Sequence, residues 1–141
     1  MKIQIHSKQS ELQQSPVAWH KLSTWICTQL KLKLSSLDII FIRSEEFRQL
    51  HSRYLHDDSP GDVLTFNLGE NKKIEGEIYI NLDQAEKQAG VYRVSLLNEI
   101  SRLIIHGCLH LAGYSDLQPA RRRIMKQQEE LLLKSARRFY E

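Results

Sequence analysis

Between Ser95 and Gly113 the chain reads SLLNEISRLIIHGCLHLAG, and Leu96, Ile100, Leu103, Ile104 and Leu111 recur at helical spacing along it. That periodicity predicts a helix whose apolar stripe is buried. Gly113 fits the left-handed position that ends such a helix. The rest of the chain must therefore cover this helix. With 141 residues, 41% of them hydrophobic and 26% charged, it is long enough for a single core, and one domain over residues 1–141 is expected.

The covering elements are legible upstream. "KIQIH" alternates apolar and polar residues and reads as a half-buried strand. The polar "SKQSELQQS" interrupts it, and Pro16 opens a helix carrying Val17, Leu22, Trp25, Ile26 and Leu30. "LDIIFIR" has the β-branched content of a buried strand, and Ser44 starts an amphipathic helix with Phe47, Leu50 and Tyr54. After the turn cluster "HDDSPGD" come two strands, "VLTFN" and "GEIYIN", joined as a hairpin or through a wider loop. "LDQAEKQAG" favours a short helix, and Pro119 starts a last one running through "ARRRIMKQQEELLLKSARRF". The expected fold is α+β: a mixed sheet of about four strands with helices packed on it.

The formal charge of +3 permits a polyanionic partner without demanding one. Cys27 and Cys108 make no disulfide framework, and "MKIQIHSKQS" lacks the apolar core of a signal peptide. No apolar run approaches the roughly 20 residues that cross a bilayer. A soluble, cytoplasmic protein is expected.

His106 and His110 stand four apart on the core helix, one turn above each other, and can present two imidazoles to one ion. Cys108 points away. The stop at Gly113 allows Asp116 to fold back as a third ligand. Two imidazoles and a carboxylate leave an open position, as in catalytic zinc sites. Two plainer readings stand beside this one. Six histidines in one chain give such a pair by chance, and Asp116 can instead cap the last helix, where Ser115 and Gln118 fit a capping box. A thermolysin-type site is disfavoured, because its glutamate base would fall at Gly107.

Taken together, "HGCLHLAGY" resembles the signature of the YbeY family of bacterial endoribonucleases, His-Gly-x-Leu-His-Leu-x-Gly-Tyr-Asp-His. "DVLTF" at Asp62 to Phe66 and "GEIYINLDQAEKQA" resemble two further blocks of that family, in the same order, over about residues 37–133. The resemblance implies metal-dependent cleavage of single-stranded RNA in ribosomal RNA maturation and small-subunit quality control. It also implies one metal ion per chain, zinc in the first instance, at His106, His110 and Asp116. Two departures stand out. The family's third histidine is Asp116 here, and oxygen ligation helps manganese or iron compete with zinc. The family's Tyr-Arg pair is Tyr54-Leu55, which removes an arginine expected to hold phosphate.

Arg48 and Arg53, on the helix before Leu55, are candidate substitutes. Arg121 and Arg122, with Lys126 and Lys134, concentrate cations after the metal turn and are candidates for RNA backbone contact. Tyr114 can stack on a base or pack against the core. Glu99, two turns before His106, either orients an imidazole or is a surface acid. Two other functions fit parts of the pattern: a metzincin-like hydrolase of another substrate, and a non-catalytic ribosome-biogenesis factor with a degenerate site.

Overall fold

The computed structural model describes residues 2–7, 16–55, 61–70 and 72–141. In chain order the elements are β1 (Lys2–Ser7), α1 (Pro16–Gln29), β2 (Leu34–Ile42), α2 (Ser44–Leu55), β3 (Val63–Asn67), β4 (Ile74–Asn81), α3 (Leu82–Tyr92), α4 (Leu96–Leu111), α5 (Pro119–Ser135) and α6 (Arg137–Tyr140). The four strands form one mixed sheet in the order β1-β2-β4-β3, with β3 antiparallel to β4 and the other pairs parallel. The fold is thus α+β. Residues 8–15 of the "SKQSELQQS" interruption and most of the "HDDSPGD" turn lie outside the described residues, as does the side chain of Leu55.

Strand alternation sorts the sheet's two faces. Leu37, Ile39, Phe41, Ile78 and Ile80 point into the main core. There they meet Trp19, Leu22 and Ile26 of α1 and Ile100, Leu103 and Ile104 of α4. Ile42, Leu64, Phe66 and Tyr79 point the other way and are covered by Phe47 and Leu50 of α2. α4 is enclosed more fully than its apolar stripe implies: Ser101, Ile105, Cys108 and Leu109 are also buried. The reason is its position, since it touches α1, α3, α5, α6, β3 and β4. A helix covered on nearly all sides is apolar nearly all round. Cys108 sits beside Cys27 in this core, and that neighbour together with burial pushes its thiol pKa up.

Local chemistry fixes where α4 begins and ends. The Ser95 hydroxyl accepts a hydrogen bond from the Asn98 amide at 3.0 Å and caps the start. At the end, Gly113 has φ +99, its amide donates to the His110 carbonyl, and the Tyr114 amide donates to the Leu109 carbonyl, both at 3.0 Å. This paired ending needs a left-handed residue, which glycine supplies without strain.

One connection takes the wider of its two expected forms, and one differs from the sequence expectation. β3 and β4 are antiparallel neighbours, and the Asn67 side chain braces their connection, its Oδ1 accepting from the amides of Gly69 (3.0 Å) and Glu75 (3.2 Å). The last helix breaks at Ala136 instead of running through to Phe139. Ala136 is fully buried, and the bend lets the Tyr140 hydroxyl donate to the Leu133 carbonyl at 3.1 Å while Phe139 packs on Trp25.

Candidate metal centre

The last two turns of α4 and the turn after Gly113 bring His106, His110 and Asp116 together, with one ligand atom of each within 4.8 Å of the others. The Nε2 atoms of His106 and His110 are 3.2 Å apart. Oδ2 of Asp116 lies 3.5 Å from Nε2 of His110 and 3.8 Å from Nε2 of His106. Donors about 2.0–2.1 Å from a tetrahedral ion are separated by about 3.4 Å, so the three atoms already stand close to three corners of such a site. The donor set of two imidazoles and a carboxylate fits a divalent transition metal, and the negative end of the α4 dipole favours a cation at this place.

Asp116 does not serve as a helix cap. The residue before α5 is Gln118, which makes no side-chain capping bond, and the Ser115 hydroxyl accepts from the Leu117 amide at 3.2 Å, so the capping box does not form. The turn is held through the backbone: Nε of Arg122 donates to the Asp116 carbonyl at 3.1 Å, leaving the carboxylate turned toward the histidines.

Behind the cluster lies a charged network that the sequence reading left unassigned. Nδ1 of His106 is 2.8 Å from Oε2 of Glu129, a residue of α5 that is only 8% exposed. Arg102 donates from Nη1 to Glu129 at 2.8 Å, and from Nε and Nη2 to the two oxygens of Glu99 at 2.8 and 2.6 Å. Gln88 also donates to Glu99, at 2.6 Å. Glu99, 1% exposed, is therefore neither a surface acid nor a partner of His106. It anchors Arg102, and Glu129 is the carboxylate that meets the imidazole. Burial raises the Glu129 pKa, but the bonds from His106 and Arg102 outweigh it and hold the group below its ordinary value. Burial would discharge Arg102, yet Glu99 and Glu129 more than compensate and raise its pKa. An ionised Glu129 is acceptor-only, so Nδ1 of His106 carries a hydrogen toward it, and Nε2 is the nitrogen that faces His110 and Asp116 and can serve a metal. Burial, with the charge of His106 second, lowers the pKa of His110 and favours its neutral, ligating form.

A signal for this network was present in the spacing. Arg102, His106 and His110 stand four apart on one helical face, and Glu129 stands four after the buried Met125.

The cations fall into two groups. Arg122 and Lys126 line a cavity of about 230 Å³ together with Arg102, His106, Asp116 and Glu129. Arg121 is exposed and lines no part of it, and Arg48 and Arg53 are on α2, whose buried side packs on the opposite face of the sheet. Tyr114 packs against the core.

The family model described as Endoribonuclease YbeY matches residues 3–137. The Endoribonuclease YbeY of Chlorobium phaeobacteroides is 36% identical over 101 residues, spanning 72% of this chain and 71% of the relative. That of Cytophaga hutchinsonii is 32% identical over 123 residues, spanning 84% of this chain and 85% of the relative. Among solved structures, the solution structure of TM1509 from Thermotoga maritima covers 95% of this chain and 88% of its own, with a TM-score of 0.66 and 24% identity, a likeness of fold.

Proposed function

This chain belongs to the endoribonuclease YbeY family, and we propose that it is a metal-dependent endoribonuclease that cuts single-stranded RNA beside His106, His110 and Asp116. The observation that carries this reading is the convergence of the three ligand atoms at 3.2, 3.5 and 3.8 Å on the open side of a buried helix. A divalent cation held there supplies Lewis acidity toward a phosphoryl oxygen and toward an attacking water. The protein's own part is to aim both imidazoles at one point. Glu129 holds a hydrogen of His106 on Nδ1, and burial favours the uncharged form of His110. Arg122 and Lys126 line the same cavity and hold the phosphate backbone without reading sequence.

Ribosomal RNA of the small subunit, in the cytoplasm, is the proposed substrate setting. Zinc is the proposed metal, with manganese and iron as competitors because Asp116 contributes oxygen. Among the described residues no helix is long and apolar enough to cross a membrane. A metzincin-like peptidase is disfavoured by Gly107, which faces Ile78 closely and leaves no room for a glutamate base. Cleavage of single-stranded ribosomal RNA by the native protein, its loss on chelation, its return with zinc and its absence in His110→Ala are expected. Equal cutting by native protein and His110→Ala would overturn the assignment.

A further inference from the structure

Tyr92 is the last residue of α3, and it is 56% exposed. Isolated exposed aromatics are common and call for no explanation. This one has a specific neighbour. The guanidinium carbon of Arg102 lies 5.9 Å from its ring centroid, within cation–π range. The same guanidinium is bonded to Glu129, which is bonded to His106, and Arg102 lines the cavity that His106, Asp116, Arg122 and Lys126 also line. Arg102 therefore meets the aromatic ring and also lines the cavity of the metal cluster, where Arg122 and Lys126 have no acidic partner among the described residues. Arg102 is itself held by Glu99 on the other side, so the ring is set against a fixed charge.

Single-stranded nucleic acid is held by this combination: cations that follow the backbone, and an aromatic face on which a base lies. We propose that Tyr92 is a base-stacking platform for the nucleotide next to the one whose phosphate enters the cavity. The proposal rests on the ribonuclease reading above and deepens it. The residue is more than half exposed with a guanidinium on one side of its ring, an exposure that a base stacking on the other side requires. Val91, 72% exposed, extends the apolar ground beside it. Because every base has a stacking face, the platform selects unpaired RNA without selecting sequence. Tyr114, beside the metal turn, is partly buried against the core and offers less open surface than Tyr92.

The test uses the zinc-loaded full chain and short single-stranded RNAs carrying one 2-aminopurine at successive positions, followed by stopped-flow fluorescence before cutting. Stacking on the ring is expected to quench the probe at one register in the native protein and in Tyr92→Phe, and not in Tyr92→Ala. Tyr92→Ala should bind RNA about five- to a hundredfold more weakly. It should bind an abasic oligomer of the same length as the native protein does. Native-like affinity and quenching in Tyr92→Ala, or an equal loss on the abasic oligomer, would overturn the platform. If quenching depends on Tyr92 but no divalent metal supports cutting, the nuclease reading falls and the platform stands. If the native protein binds no RNA, both fall.

Discussion

Nδ1 of His106 and Oε2 of Glu129 are 2.8 Å apart, joining the core helix α4 to α5 through one hydrogen bond at the metal cluster. That bond fixes both the tautomer and the plane of the imidazole. Carboxylates behind metal-bound histidines typically change metal affinity by about 10- to 100-fold when removed. Glu129→Ala is predicted to weaken zinc binding within that range in competition with a chromophoric chelator. Glu129→Gln keeps an acceptor for Nδ1 but loses the charge that meets Arg102, and should weaken binding less. Native affinity in Glu129→Ala would show that the imidazole needs no support from α5.

Asp116 offers a cleaner variant, because its side chain is exposed enough that replacement disturbs no core contact. Asp116→Ala is predicted to leave the thermal midpoint of the metal-free protein unchanged while lowering metal content after dialysis. Asp116→His should restore binding and shift preference from manganese or iron toward zinc, since a third nitrogen replaces the harder oxygen. Elemental analysis of the three proteins, loaded from an equimolar metal mixture, reads both effects. Equal metal content in Asp116→Ala would remove the carboxylate from the ligand set.

The contrast between these two acids marks how far the sequence is readable. Asp116 lies six residues from His110 across a glycine stop, so local rules of helix ending bring it within reach of the pair. Glu129 lies 23 residues from His106, and its approach depends on how α5 docks against α4, which no local pattern encodes. Its sequence neighbours Arg123 and Lys126 are cations with no indication of a metal site. Glu99 failed for the same reason in reverse: helical spacing placed it on the side of His106, but α3 and Arg102 enclose it and claim both oxygens. The strands, the α4 stripe and the stop at Gly113 depend on periodicity and backbone preference, and they were legible. Sheet order and the side chosen by α2 depend on long-range pairing.

Acid should weaken the metal-free fold through Glu129 and His110 together. Both pKa values are lowered in the folded protein, so the unfolded chain binds more protons wherever these groups titrate. Stability contributed by Glu129 is complete above its ordinary value of 4.5 and is lost as pH falls through its lower folded value. For His110 the loss begins as pH drops below 6.5. Thermal midpoints of the metal-free protein are predicted to fall progressively from pH 7 to pH 4. The decline below about pH 4.5 should be shallower in Glu129→Gln. A midpoint that stays flat between pH 7 and pH 5 would contradict the His110 part.

Gly107 links the metal motif to the packing of the sheet. A Cβ built there would stand 2.8 Å from Cδ1 and 3.0 Å from Cγ1 and Cγ2 of Ile78, a fully buried residue of β4. Three contacts at that range to a β-branched side chain in the core cannot be relieved by turning one flexible end. Gly107→Ala is predicted to destabilise the fold by about 1–3 kcal/mol through overpacking, against a small gain in helix propensity. In a chain of this size that lowers the thermal midpoint by several degrees. The companion variant Ile78→Val removes the terminal methyl whose carbon is nearest, and should cost about 0.5–1.5 kcal/mol alone. Combined with Gly107→Ala it should recover part of the loss, a non-additive result expected only when the two residues touch. Strict additivity in the double variant would mean that α4 is not held against β4 at this point. The spacing of His106 and His110 from the sheet would then need another cause.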